Sequence, residues 1–317
     1  MALLGIDLGG TKVASAVFTE NGSIIEKNIT FLGNRKGADV GRLISEKICE
    51  LLDSREHEGT EIKSVGISVP GISHSDSGTV WAPNIPGWEE YPLLAEVKAV
   101  CSKIPVNIDS DRACYIMGEV WQGNARGCRN AIFLAVGTGI GAGILIDGEV
   151  LRGSHDIAGA IGWMALNRPF RDEYLSCGCF EHYASGAGIA KTTRTYLNED
   201  ITYSGDLRKI PVEKITSHEV FSAFEQGDHL AATVIRQCVE FWGMAVANLV
   251  SLFNPEKIIL GGGVFGPAIS LIPAIKEEAS RWAQPVSIRQ VNIGASSLAG
   301  DAGIYGAGYL ALKNWQE

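Results

Sequence analysis

Residues 2–22, ALLGIDLGGTKVASAVFTENG, join two short apolar runs through an Asp at residue 7 and a Gly-Gly pair. The first run, residues 2–7, has the length and composition of a buried strand. Gly9-Gly10 turn the chain, Val13 to Phe18 form a second strand, and Asn21-Gly22 make the hairpin turn into a third strand, Ser23 to Phe31. The plan recurs at residues 133–150, FLAVGTGIGAGILIDGEV. There Ala131 to Val136 is a strand, Gly137-Thr138-Gly139 a turn, Ile140 to Ile146 the return strand and Asp147-Gly148 a hairpin turn. The two stretches share few residues but one order: strand, Gly-Thr loop, strand, turn, strand. That repetition predicts two similar α/β domains whose glycine hairpins face each other across a cleft. The expected division is residues 1–120, completed by a C-terminal helix at about 298–317, and residues 121–297.

Leu43, Ile44, Ile48, Leu51 and Leu52 recur at helical spacing, which predicts an amphipathic helix over 39–53. Val65 to Val69 is a strand stopped by Pro70-Gly71. A loop bearing Trp81 and Trp88 precedes a short helix. Ile104 to Ile108 is a strand leading into Ser110-Asp111, which read as the start of a helix. A long helix over about 229–253 ends at Asn254-Pro255. Lys257 to Leu260 is a strand opening into Gly261-Gly262-Gly263, and helices follow near 265–283 and 298–313.

The 317 residues are 46% hydrophobic and 20% charged, with 27 Lys and Arg against 36 Asp and Glu, a net charge of −9. This is globular composition. The acidic balance without a basic block argues against nucleic acid or an anionic membrane as a partner. Seven scattered Cys in a chain of this size read as reduced thiols of a cytoplasmic protein. No signal peptide is evident at MALLGIDLGG, and no apolar run is long and charge-free enough to span a bilayer.

Of the 38 glycines, nine gather in three places, Gly9-Gly10, Gly137 to Gly143 and Gly261 to Gly263. Glycine lets a ligand approach the backbone, so three such loops suggest one shared ligand. Asp7 to Lys12 suits a polyphosphate: freed N–H groups make an anion-binding concavity, and Thr11 and Lys12 add donors. Asp7 is a candidate for Mg²⁺, held through water because Mg²⁺ dehydrates reluctantly. Gly137, Thr138 and Gly139 offer a second concavity. Neither loop is a Walker loop or a dinucleotide fingerprint, since no helix follows directly. The plainer alternative is a pair of hairpins that bind nothing.

The chain resembles the ROK (repressor–open reading frame–kinase) family of sugar kinases, within the actin-like ATPase superfamily. The resemblance rests on Asp7 to Lys12, Gly66 to Gly71, Ala82 to Trp88, Asp109-Ser-Asp111, Gly137 to Gly141, Glu181 to Gly186 and Leu260 to Gly263, in family order along almost the whole chain. It implies two actin-like (ribonuclease H-like) α/β domains, a cytoplasmic homodimer, and ATP with Mg²⁺ in the interdomain cleft. The loops at Gly9, Gly10 and Gly137 to Gly139 would hold the phosphates, and Gly261, Gly262 and Gly263 the adenosine. Asp111 would be the general base toward a sugar hydroxyl, by analogy O6. Gly71, Asn84, Ser110, Trp163 and Glu181 would line the sugar. Strand alternation places Asp109 on the face of Asp111, so it stays a competitor, and a helix N-cap is the plainer role for Asp111.

The departures carry information about specificity. Ser110 stands where the family has Asn. The family's Glu-x-Gly-His, whose polar residues contact the sugar near its first and second carbons, reads Ala160-Ile-Gly-Trp163. Trp163 is placed either against the substrate or in the core, and Trp81 and Trp88 are open to the same choice, Trp88 following a loop expected at the sugar. The family's zinc segment is eroded: Cys179 matches its last cysteine, but Asp172 and Tyr174 replace the two earlier ones. Cys177, Cys179, His182 and His155 make a poor tetrahedral set, so zinc is not expected. His57, His74, His218 and His229 read as surface residues. Three functions follow. The first is an ATP-dependent sugar kinase. The second is a sugar-responsive repressor, disfavoured because the motif at residue 7 leaves no room for a preceding helix-turn-helix. The third is a non-catalytic sugar-binding protein, motivated by the lost Glu and His.

Overall fold

A computed structural model describes residues 1–57, 59–101 and 104–316. The chain opens with β1 (Ala2–Leu8), β2 (Lys12–Phe18), β3 (Ile24–Phe31), α1 (Ala38–His57), β4 (Ile62–Val69), β5 (Ile72–Ser73), β6 (Val80–Trp81), α2 (Leu93–Cys101), β7 (Val106–Ser110) and α3 (Asp111–Gln122). It continues through β8 (Ala131–Val136), β9 (Ile140–Ile146), β10 (Glu149–Val150), α4 (Cys179–Ala184), α5 (Gly186–Glu199), α6 (Ser217–Glu225), α7 (His229–Phe253), β11 (Lys257–Gly261), α8 (Ile272–Trp282), α9 (Ser287–Gln290), β12 (Asn292–Ala295) and α10 (Ala302–Gln316). Residue 317, the last of the expected C-terminal helix, lies outside the described residues.

Two compact units result, residues 1–127 with 150–158 and 300–317, and residues 128–149 with 159–299. In the first, the sheet order is β3-β2-β1-β4-β7, an antiparallel meander extended by parallel strands. The second sheet runs β10-β9-β8-β11-β12 on the same plan, with β11 parallel to β8 and β12. The internal repetition of the sequence is thus a repetition of topology.

Several glycines outside the three loops serve packing. Gly5 of β1 pairs with Gly66 of β4, and both lie beneath α10. A methyl group on Gly5 would fall 2.9 Å from the Gly308 nitrogen, and one on Gly66 would strike the Ala307 carbonyl. Gly306 of α10 meets the backbone of Cys114 in α3 in the same way. Bare backbone at these points lets α10 lie directly on the sheet and on α3. Larger residues would force helix displacement, because close-packed interiors do not absorb added methylenes.

In the second unit, α7 starts where Asp228 accepts the N–H groups of Leu230 and Ala231, and ends at Asn254 in the left-handed conformation. Its 25 residues and hydropathy would suffice to cross a membrane, against the expectation from sequence, but its apolar residues from Leu230 to Val250 pack in the core of this unit. The helix expected near 265–283 is instead two 3-10 turns, Gly263–Phe265 and Pro267–Leu271, followed by α8. Gly266-Pro267 interrupts the ladder there. The last helix starts at Ala302, after Ala299 with φ of 48°.

Candidate active site

In the first unit, Asp7 lies next to the end of β1, and its Oδ1 accepts the Ser68 hydroxyl at 2.7 Å. Ser68 reaches it because β4 runs parallel to β1 with Ser68 opposite Asp7. A methyl on Gly303 would lie 2.5 Å from Asp7 Oδ2, so glycine there leaves room for the carboxylate. Burial raises the Asp7 pKa against the Ser68 hydrogen bond and the Lys12 charge. Asp7 is half-buried, and its carboxylate oxygens are the donor type that Mg²⁺ takes through water. The turn after Asp7 is closed by the Gly9 N–H donating to the Lys12 carbonyl at 2.8 Å. Gly10, Thr11 and Lys12 are exposed, and Asn84 borders them, its Cβ 3.6 Å from where a Gly10 methyl would stand.

Strand alternation does not carry Asp109 and Asp111 onto one face, because β7 stops at Ser110 and Asp111 is the first residue of α3. Ser110 is the N-cap, its Oγ accepting the Ala113 N–H at 3.3 Å. The two carboxylates have different surroundings. Asp109 Oδ1 accepts the Ser110 N–H, and its Oδ2 accepts Nε and Nη2 of Arg152 at 3.1 and 2.5 Å. Among the described residues Asp111 has no such ion pair: it accepts the Arg112 N–H at 2.8 Å and the Tyr115 hydroxyl at 3.3 Å. Burial pushes its pKa up to about 6, with the Arg112 charge opposing and the Asp7 charge adding. Arg112 Nη2 donates to the Gly71 carbonyl at 3.2 Å. Gly71, at φ of 99° and against the Trp81 carbonyl, admits no side chain. Trp88 does not line a site: it is 1% exposed, stacks on Tyr91 and donates its indole N–H to the Gly37 carbonyl.

In the second unit a cavity of about 470 Å³ is lined by Gly137, Thr138, Gly186, Ala187, Arg194, Thr216, Ser217 and Gly263. That volume is in the range of small-molecule sites. Two of the three glycine loops meet here. The N–H groups of Gly186 and Ala187, at the start of α5, donate to the carbonyls of Gly137 and Thr138 at 2.8 and 3.4 Å. Arg194 Nη2 donates to the Ile215 carbonyl at 2.7 Å and so holds the Thr216-Ser217 turn at the rim. Gly137 and Gly263 have open space where a methyl would point. Gly261 does not; it is buried against the Phe133 ring. Gly262 turns the chain at φ of 90°, and a methyl there would fall 2.5 Å from the Val136 carbonyl oxygen.

Glu181 of α4 sits behind the same loop. Its Oε2 accepts the Ile140 N–H at 2.6 Å, and methyls on Gly139 and Gly162 would lie 2.7 and 3.0 Å from that oxygen. Gly139 therefore makes room for Glu181 rather than for a ligand alone. Burial raises the Glu181 pKa, and the Ile140 N–H opposes it. Trp163, next to Gly162 on a 3-10 turn, is 58% exposed and is not a core residue.

The residues do not fit a zinc site. Tyr174, in one former cysteine position, is buried with its hydroxyl 2.7 Å from that of Tyr183 and its ring edge-on to His182. Among the described residues no group of three His, Cys, Asp or Glu is placed to hold a metal, and all seven Cys are free. Metal analysis of the purified chain is expected to give well under one zinc per molecule; stoichiometric zinc, lost in Cys177→Ser, would refute this.

The sequence profile of the ROK family matches residues 3–314. The chain belongs to the ROK family. A glucokinase of Halalkalibacterium halodurans is 32% identical over 320 residues, covering 98% of this chain and 94% of that one. A glucokinase of Thermotoga maritima is 33% identical over 316 residues, covering 97% and 96%. Among solved structures, a ROK glucokinase from Streptomyces griseus in complex with glucose and AMPPNP superposes with a TM-score of 0.79 at 29% identity, covering 99% and 100%. The two-domain actin-like fold is thereby shown for this ROK chain.

Sequence reading missed Arg112, Arg152 and Arg194. Nothing local marks them, because each acts on a carbonyl or carboxylate distant in sequence or on a turn not yet built. The α5 start was more accessible: Ser185 caps it ahead of Gly186, Ala187 and Gly188, a small-residue run at a helix N-terminus.

Proposed function

We propose that this chain is an ATP-dependent carbohydrate kinase that transfers the γ-phosphate to a sugar hydroxyl, by analogy O6, with Asp111 as the general base. The observation that carries the mechanism is the contrast between the two carboxylates. Asp109 is engaged by a guanidinium, whereas Asp111, its pKa near 6, is ionised at neutral pH and still basic enough to take a proton. As the sugar oxygen bonds to phosphorus and the bond to ADP breaks, the hydroxyl proton passes to a carboxylate oxygen of Asp111. Arg112 holds the Gly71 loop beside it, and Gly71, Asn84, Ser110 and Glu181 are assigned to hold the sugar. The cavity bounded by Gly137, Gly186 and Gly263 takes the adenosine, while Gly9 to Lys12 and Thr138-Gly139 take phosphates. Asp7 would hold Mg²⁺ through water, and the ion when bound neutralises phosphate charge.

The relatives named glucokinase support the class. The alternative, a non-catalytic sugar-binding protein, is favoured by Ala160 and Trp163, which remove two polar groups. Retention of Asp7, Thr11, Asp111 and the glycine loops opposes it. Sugar-dependent ADP release over a broad sugar panel, with product mass, is expected to be positive for at least one sugar. Sugar binding without ADP release from any member would favour the binder.

A further inference from the structure

Residues 150–158 belong to the first unit although the sequence on both sides of them belongs to the second. This short segment is mostly exposed, yet it is anchored at three points. Val150 packs with the cluster of Ala113, Cys114, Met117 and Leu310 on α3 and α10. Arg152 gives two N–H groups to Asp109 Oδ2. Asp156 Oδ2 accepts both the N–H and the hydroxyl of Ser75 at 2.9 Å each. Between these points the segment closes on itself, the Ala158 N–H donating to the Arg152 carbonyl at 2.9 Å. Asp156 adopts φ of 58°, a left-handed conformation that costs a non-glycine residue energy and is retained where surrounding contacts enforce it.

The anchors join three segments, one of which carries Asp111, in a closed ring of contacts. Segment 71–75 is tied to segment 108–112 by the Arg112–Gly71 bond and by the Ser73 hydroxyl donating to the Ile108 carbonyl at 3.2 Å. Segment 71–75 is tied to segment 152–156 through Ser75 and Asp156, and segment 152–156 returns to 108–112 through Arg152 and Asp109. Each of the three segments is thus tied to the other two, and the base, at the junction of β7 and α3, is carried by one of them. A guanidinium gripping a carboxylate through two N–H groups fixes direction as well as distance.

We propose that residues 150–158 act as a clasp, with Arg152 and Asp156 as positioning residues that hold Asp111 and the Gly71 loop in register for the sugar hydroxyl. The inference rests on the assignment of Asp111 as base. Neither residue touches the reacting atoms; their effect is on where the base and the sugar loop stand.

The test compares Arg152→Ala, Arg152→Lys, Ser75→Ala and Asp156→Ala with Asp111→Asn, in the full chain and with the best sugar from the panel. Arg152→Ala is expected to lower kcat by ~10- to 10²-fold, the scale of a misplaced catalytic group, with KM for ATP unchanged. Arg152→Lys should recover part of the loss, because an ammonium keeps the charge but not the two-pronged geometry. Ser75→Ala and Asp156→Ala should chiefly raise the sugar KM and weaken sugar binding measured without ATP. Asp109→Asn added to Arg152→Ala should cost little more, since both act through one contact. If Asp111→Asn is inactive while Arg152→Ala and Asp156→Ala keep wild-type kcat, sugar KM and sugar affinity, the clasp is refuted and the base assignment stands. Normal turnover in Asp111→Asn would instead overturn the base assignment, and the clasp with it. Should Arg152→Ala fail to fold, unchanged kinetics in Arg152→Lys and Ser75→Ala together refute the proposal.

Discussion

Asp111→Asn is expected to bind ATP as the wild type does and to turn over at least ~10²-fold more slowly, the usual scale for loss of a general base. Asn keeps the size of the side chain, and its Oδ1 can still accept the Arg112 N–H, while its Nδ2 would donate to the Tyr115 hydroxyl instead of accepting from it. It cannot accept the sugar proton. The pH dependence follows from the raised pKa. The catalytic form is the carboxylate, so kcat/KM of the wild type should rise with pH through about 6 and level off above it. The same shift predicts a stability change of opposite sense. A carboxyl whose pKa is raised from 3.8 to about 6 is disfavoured by the fold in its ionised form. That penalty is absent below pH 4, grows between 4 and 6, and is complete above 6, where about two pKa units correspond to at most ~3 kcal/mol. The Asn variant should therefore melt higher than the wild type at pH 7.5 and together with it at pH 3.5. Thermal melts at the two pH values, beside steady-state kinetics and ATP titration, check all three statements. Near-normal turnover would point away from Asp111.

The fold was legible because its signals are local. Alternating apolar runs, Asn21-Gly22 and Asp147-Gly148 each specify a turn or strand within a few residues, and their repetition along the chain is repeated in the order of both sheets. The candidate site was legible where one loop supplies it, as at Asp7 to Lys12. It was not legible where function depends on contacts across the chain. Spacing and residue type left Asp109 as a competitor to Asp111, the base that the resemblance implies; the Arg152 pair with Asp109, 43 positions away, is what distinguishes the two carboxylates. Glycine misled in a similar way. Gly5, Gly66 and Gly306 meet backbone and Gly261 meets the Phe133 ring, so part of the glycine excess answers to helix and sheet packing. For Trp88 the sequence left packing and site open: its place after a loop of functional character said nothing about its stacking partner Tyr91 or its burial.

Free glucose is expected to be a poor substrate, and a sugar altered at its first or second carbon a better one. By the family resemblance, Ala160 and Trp163 stand in the place of a Glu and a His. A pocket built from polar groups discriminates strongly, because the wrong ligand leaves those groups unpaired; without them that discrimination is lost. The structure bears on the choice between core and surface for Trp163: at 58% exposure on a short 3-10 turn, its indole is available for contact. The adjoining Gly162 brings that turn against Glu181, whose Oε2 is committed to the Ile140 N–H. This face of the second unit thus offers one carboxylate and one broad aromatic surface. Aromatic rings pack well on the C–H faces of sugars and on apolar substituents. A glycoside or an anhydro-sugar presents such a surface where glucose presents hydroxyls that here lack partners, and a ketose places its hydroxyls differently there. For these derivatives kcat/KM should exceed that for glucose by ~10-fold or more, on the scale by which one missing polar or apolar contact changes selectivity. Trp163→Ala should lower kcat/KM for the preferred derivative more than for glucose, and the pair Ala160→Glu with Trp163→His should shift preference back toward glucose. If wild-type protein phosphorylates glucose as efficiently as the best derivative, these two positions do not set specificity.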